Sequence, residues 1–221
     1  MTAIHAVLRN NRFFGLIFIF IFFTVACSLA QNKPSPPLGI NTNKLLKSAT
    51  DIKPEALDLA LKAYEKAYKQ GYVKKPYLAV IDYSKPSTDK RLWIFDLAQE
   101  KVLYELHVTH GKNSGVKIAT KFSNKQDSLQ TSLGAFITEE PYNGRNGYSL
   151  RLEGLDPGLN DNAKKRGIVI HGAHYASANF LQKNGRLGLS WGCPAIAKEV
   201  NAEVINLLKD GSMVYAYHFN L

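Results

Sequence analysis

The sequence predicts a mostly β domain with an N-terminal helical segment and a C-terminal helix. Three observations carry this: apolar positions recur at helical spacing over residues 54–70, the period falls to two from Tyr77 onward, and helical spacing returns near Glu199. Composition agrees, because 221 residues at 45% hydrophobic and 21% charged describe an ordinary globular domain with modest additions. Disordered, collagen-like and repeat architectures are excluded.

The first thirty residues read as an address and not as fold. After Arg9 and Arg12 an apolar run extends from Phe13 to Ala26, and no charge follows until Lys33. This is a basic n-region followed by an apolar h-region, the pattern of an export signal. Ser28-Leu29-Ala30 offers small residues for signal cleavage, whereas Thr24-Val25-Ala26-Cys27 resembles a lipoprotein box that would anchor the chain to a membrane through Cys27. An uncleaved anchor over residues 13–30 is the third reading. Each places the domain in the cell envelope, in a periplasm or at the cell surface. Residues 31–43, rich in Pro, Ser and Asn, are expected to be a linker.

Residues 44–75 are expected to be a helical segment. Leu57, Leu61, Tyr64, Ala67 and Tyr68 form one stripe, Pro54 suits the first turn, and Gly71 suits the stop. Asp58 with Lys62 and Glu65 with Lys69 add exposed pairs four residues apart. Residues 76–221 follow as the main domain. Tyr77–Tyr83, Arg91–Asp96 and Val102–Val108 are short, β-branched and aromatic, with polar breaks between them, as in a meander. Gly134–Thr138 and Tyr148–Leu152 flank the turn sequence Asn143-Gly144-Arg145-Asn146-Gly147 and predict a hairpin. Gly167–His171 is a further strand, Glu199–Lys209 a helix stopped by Gly211, and Met213–Tyr217 a closing strand.

Charge and cysteine content narrow the chemistry. The net charge of +10, or +8 without Arg9 and Arg12, suits an anionic partner such as nucleic acid, acidic lipid or a wall polymer. Cys27 and Cys193 are the only cysteines, so no disulfide framework organises the chain. Without the leader, Cys193 is a single thiol in an oxidising compartment, and its presence there asks for a reason.

His171-Gly172 ends an apolar strand, and 17 residues later comes Ser190-Trp191-Gly192-Cys193-Pro194. An imidazole and a thiol suffice for covalent acyl transfer, since a cysteine is mostly protonated at neutral pH until a base takes its proton. His171 is the natural base. Gly172 leaves a carbonyl accessible to orient it, and Gly192 lets the backbone N–H groups of Gly192 and Cys193 approach a developing oxyanion. An imidazolium on His171 would lower the thiol pKa, so the thiol is expected to outreact a free cysteine at mildly acidic pH. His171, His174 and Cys193 can also be drawn as a zinc site, but no helix is indicated to bring both histidines to one face.

His-Gly, the spacer and Ser-X-Gly-Cys resemble the catalytic signature of the L,D-transpeptidases of bacterial cell walls, in the branch whose nucleophile lies in Ser-X-Gly-Cys-Pro. Further similarity runs through His110–Gly115, Ser123-Asn124, Thr131–Gly134, Gly147–Leu150 and Gly185–Gly188, over roughly residues 75–218. The resemblance implies a sandwich or barrel-like β fold, no metal or other cofactor, and a cysteine acyl-enzyme formed on a peptidoglycan stem peptide. It assigns the nucleophile to Cys193, the base to His171, its orienting carbonyl to Gly172, and the oxyanion donors to Gly192 and Cys193. Release of D-Ala and transfer to an amine make a transpeptidase. Water as acceptor makes an L,D-carboxypeptidase, and loss of turnover makes a wall-binding module. It also implies a carbapenem-sensitive thiol. Trp191 and Ala195 depart from the residues usual in the family. Arg186 is the expected grip on a substrate carboxylate, and Ser190, Trp191, His174 and Tyr148 are expected around the substrate. A monomer without a nucleic-acid partner is expected.

Overall fold

The computed structural model describes residues 39–220. The expected signal region, Cys27 and most of the expected linker lie outside the described residues. Among the described residues no helix is long and apolar enough to cross a membrane.

The chain opens with helices α1 (Thr42–Ser48) and α2 (Pro54–Lys69). Helix α1 begins inside the expected linker, because Asn41 Oδ1 accepts from the Lys44 N–H at 3.1 Å and caps the first turn. Eight strands follow: β1 (Tyr77–Asp82), β2 (Leu92–Asp96), β3 (Lys101–Leu106), β4 (Gly134–Gly144), β5 (Gly147–Gly154), β6 (Val169–Gly172), β7 (Ala195–Ile196) and β8 (Met213–Tyr217). A short 3₁₀ turn at His174–Ala176, helix α3 (Ala178–Asn184) and helix α4 (Lys198–Leu208) interrupt them.

The strands form one sheet in the order β3-β2-β1-β8-β4-β5-β6-β7. Pairing is antiparallel except for β1 with β8 and β6 with β7. The far edge comes back towards the chain that follows β3: Thr109 N–H donates to Ala195 O at 3.0 Å, and Ala195 N–H to Thr109 Oγ1 at 3.1 Å. The sheet is thus nearly closed and barrel-like.

The central strands read as continuous apolar runs because both of their faces are buried. Leu78, Val80, Trp93, Phe95, Met213 and Tyr215 point to one core, against Ala56, Leu57, Ala60 and Tyr64 of α2. Ala79, Ile81, Ile94, Val214 and Ala216 point to the other, against Val204, Ile205 and Leu208 of α4. Polar ends of the large aromatics tie the helices down: Trp93 Nε1 donates to Thr50 O (3.0 Å), Tyr64 Oη to Lys75 O (3.1 Å) and Tyr217 Oη to Glu55 Oε2 (3.0 Å). The opposite face of α2 carries the expected pairs, Lys62–Asp58 at 2.7 Å and Lys69–Glu65 at 2.6 Å.

Candidate active site

The second core ends at a cleft built by β6, the turn between β4 and β5 and the turn before β7. Strand β6 places His171 against Ser149 on one side and Ala195 on the other. Its imidazole is buried, and Nδ1 lies 3.2 Å from Gly172 O. A carbonyl only accepts, so Nδ1 carries the hydrogen in the neutral ring and Nε2 is left as the acceptor. Gly172 allows close approach: a Cβ there would meet Asn201 Cβ at 3.0 Å and Lys198 Cα at 3.2 Å, so α4 would have to give by a few tenths of an ångström.

The nucleophile turn is held by its own hydroxyl. Ser190 Oγ donates to Cys193 O at 2.6 Å and accepts from the Gly192 N–H at 3.1 Å. The Gly192 N–H, expected to serve an oxyanion, is thus engaged in closing the turn. Gly192 has φ +120°, and a Cβ would meet Gln130 O at 2.8 Å, so conformation and space both require glycine there. The Ser190 backbone is docked on the chain after β3, donating to His110 O (3.0 Å) and accepting from Lys112 N–H (2.8 Å).

Cys193 and His171 line the same cavity of about 320 Å³, together with Arg145, Asn146, Arg166, Tyr175 and Trp191. Cys193 is 9% exposed. Burial pushes its thiol pKa up, while a hydrogen bond from the Val169 backbone and the charge of Arg166 pull it down. Burial pushes the His171 pKa down, against the pull of Gly172 O. Both directions run against a resting imidazolium and an acidified thiol, because desolvation favours a neutral pair.

A second cavity of about 500 Å³ adjoins the first, sharing Arg145, Asn146, His171 and Tyr175 and adding Tyr148, His174, Lys198 and Asn201. His174 is exposed at the start of the 3₁₀ turn. Tyr148 Oη donates to Asn206 Oδ1 at 2.9 Å. Trp191, 65% exposed, stands at the rim with Lys112 Nζ and Arg145 Cζ each 5.9 Å from its ring centroid. Arg186 is in neither lining. Its Nη1 donates to Leu187 O at 2.9 Å. Among the described residues no three His, Cys, Asp or Glu side chains gather as a metal site requires.

Two arginines of the cleft escape a reading by sequence. Arg145 is hidden inside what reads as an ordinary hairpin turn, and Arg166 inside the basic run Lys164-Lys165-Arg166 that looks solvated. Only the fold brings both to the thiol.

A family model described as the L,D-transpeptidase catalytic domain matches residues 48–217, which is most of the chain and contains both His171 and Cys193. The chain belongs to the L,D-transpeptidase catalytic-domain family. No curated protein matches it by sequence. Among solved structures it is similar to an L,D-transpeptidase from Mycobacterium smegmatis (15% identity, TM-score 0.40, covering 65% of this chain and 59% of that one). It is also similar to the helical cell shape determining protein of Campylobacter jejuni (15%, 0.43, 70% and 55%) and to an L,D-transpeptidase from Stackebrandtia nassauensis (15%, 0.39, 80% and 76%). The chain thus spans about 59% of the length of the Mycobacterium smegmatis protein. In this L,D-transpeptidase domain the matched residues begin within α1 and end with β8, so the family's extent includes α2 as well as the sheet.

Proposed function

We propose that this chain is an exported cysteine acyltransferase that acts on peptidoglycan stem peptides as an L,D-transpeptidase. The observation that carries the reading is the position of His171, which lines both cavities while Cys193 lines only one. A base shared between two cavities can serve two half-reactions. In the first, Cys193 Sγ attacks the carbonyl at the L-centre of the diamino acid, its proton passes to His171 Nε2, and the S–C bond forms. The imidazolium returns that proton to the departing D-Ala amine as the C–N bond breaks. In the second, His171 takes a proton from an amine arriving through the larger cavity, and that amine displaces the thiolate.

Arg145, which borders both cavities, replaces Arg186 as the proposed grip on a stem-peptide carboxylate. Export and envelope location rest on residues 1–30 alone, and sequencing the mature N-terminus distinguishes a lipid on Cys27 from a free Gln31. Function is tested by incubating the full-length mature protein with a tetrapeptide muropeptide and analysing products by mass. Expected products are free D-Ala and a cross-linked dimer. Tripeptide alone, even with excess acceptor amine, would transfer the assignment to the L,D-carboxypeptidase, and no product would leave the wall-binding module.

A further inference from the structure

Arg166 is a half-buried cation whose hydrogen bonds all go to neutral groups. Nη1 donates to Ser123 O at 2.6 Å and to Ser132 Oγ, and Nη2 donates to Ser128 Oγ at 3.0 Å and Gln130 O at 2.6 Å. A guanidinium has four terminal N–H bonds, and these four contacts use them. Substrate therefore finds no terminal donor on it. No carboxylate is among its partners in the described residues. Its position is set by the nucleophile turn: Nη2 lies 3.5 Å from where a Cβ on Gly192 would stand, and the side chain lines the Cys193 cavity.

We infer that Arg166 is a positioning residue for the thiolate: it spends its donors on pinning the 123–132 segment behind the nucleophile turn and leaves its charge to the sulfur of Cys193. The anion it lacks is the one that forms when the thiol loses its proton. The other titratable groups that face the sulfur are His171, Tyr83 and Tyr175, with Arg145 farther out in the same cavity. None of them is an acid that could neutralise Arg166. The inference rests on Cys193 acting as a thiolate, but its test reads the thiol itself and not wall chemistry, so it can fail or stand independently of the transpeptidase reading.

The test is the pH titration of the thiol in the full-length mature protein, followed by thiolate absorbance against a Cys193→Ala blank and by the rate of iodoacetamide alkylation. Arg166→Gln should raise the titration midpoint and slow alkylation at neutral pH by about tenfold, the effect of withdrawing one nearby opposite charge. Arg166→Lys keeps the charge but loses most of the four contacts, so it should melt earlier than wild type and yet alkylate within about twofold of it. Ser128→Ala, which removes one acceptor and no charge, should leave the midpoint in place. A wild-type midpoint in Arg166→Gln, or a raised midpoint in folded Arg166→Lys or Ser128→Ala, would overturn the inference. Where Arg166→Gln does not fold, Arg166→Met takes its place with the same expected rise and the same overturning result.

Discussion

Two His-Gly pairs stand at or just beyond strands in this protein, and the structure gives their rings opposite surroundings. His110, in the chain after β3, has both ring nitrogens engaged: Arg91 Nη2 lies 2.8 Å from Nδ1, and Nε2 lies 3.1 Å from Gly115 O. Arginine only donates and a carbonyl only accepts, so the ring is fixed as the neutral Nε2–H tautomer. Burial, with the Arg91 charge second, pushes its pKa down to about 4. His171 is buried too, but only Nδ1 is taken, and Nε2 has no protein partner among the described residues. The proposed base differs from the girder by one unspent nitrogen beside a cavity. Neither burial nor the Gly that follows distinguishes them.

The comparison breaks first at the sulfur. Cys193→Ala should reduce acyl transfer to the uncatalysed level while the thermal melt stays cooperative, because the side chain acts through a bond it forms. Intact-mass analysis with a carbapenem gives the same answer, with one adduct per chain in the native protein and none in the variant. An adduct that survives the substitution would remove Cys193 from the mechanism.

His171→Gln should slow acyl transfer by roughly 10²- to 10⁴-fold, the range for loss of a general base, with a melting temperature within a few degrees of the native one. His110→Gln should do the reverse, melting several degrees lower and retaining transfer at temperatures where it is folded. Exchange of these two outcomes would exchange the roles.

The pH dependence of stability sharpens the contrast further. The folded pKa of His110 lies near 4, below its ordinary value near 6.5. Between those values the unfolded chain binds the proton and the folded chain does not, so stability rises with pH through this window. The contribution is complete above about 6.5 and is lost as pH falls towards 4. Calorimetry from pH 7 down to 4 should show this decline, and His110→Gln should flatten it. An equally steep decline in the variant would move the effect to another group.

The smallest effect concerns the resting proton. Since burial pushes the Cys193 thiol up and the His171 imidazole down, alkylation should climb steadily from neutral to alkaline pH without a plateau below pH 6. A plateau there would restore a preformed imidazolium–thiolate pair.

Strand periodicity is legible in the sequence in the longer strands of the sheet. Met213–Tyr217 and the start of Pro54–Lys69 match residue for residue, because side-chain pattern alone sets those elements. The two-residue strand β7 and the short helix α3 were not legible, since neither has enough residues for a period. The thiol and imidazole stood out by type and spacing. Arg166 did not, because its surroundings come from residues 123–132, far along the chain, and an arginine beside two lysines looks like solvated surface. Arg186 is the converse case: a loop cation near the motif in sequence lies outside both cavity linings and donates to its own neighbour's carbonyl.

The pairing of β1 with β8 bears on when the protein can fold. Strand β8, the last of the sheet, lies between β1 and β4 and joins Leu78–Asp82 to Met213–Tyr217 in register. Until those final residues emerge, the middle of the sheet is missing, and β1 and β4 each present an unpaired edge. Ordering must close a loop that spans almost the whole domain, which makes folding slow relative to local helix formation. A chain truncated before Met213 should therefore remain exposed to proteases, and a nascent chain stays threadable until β8 has emerged.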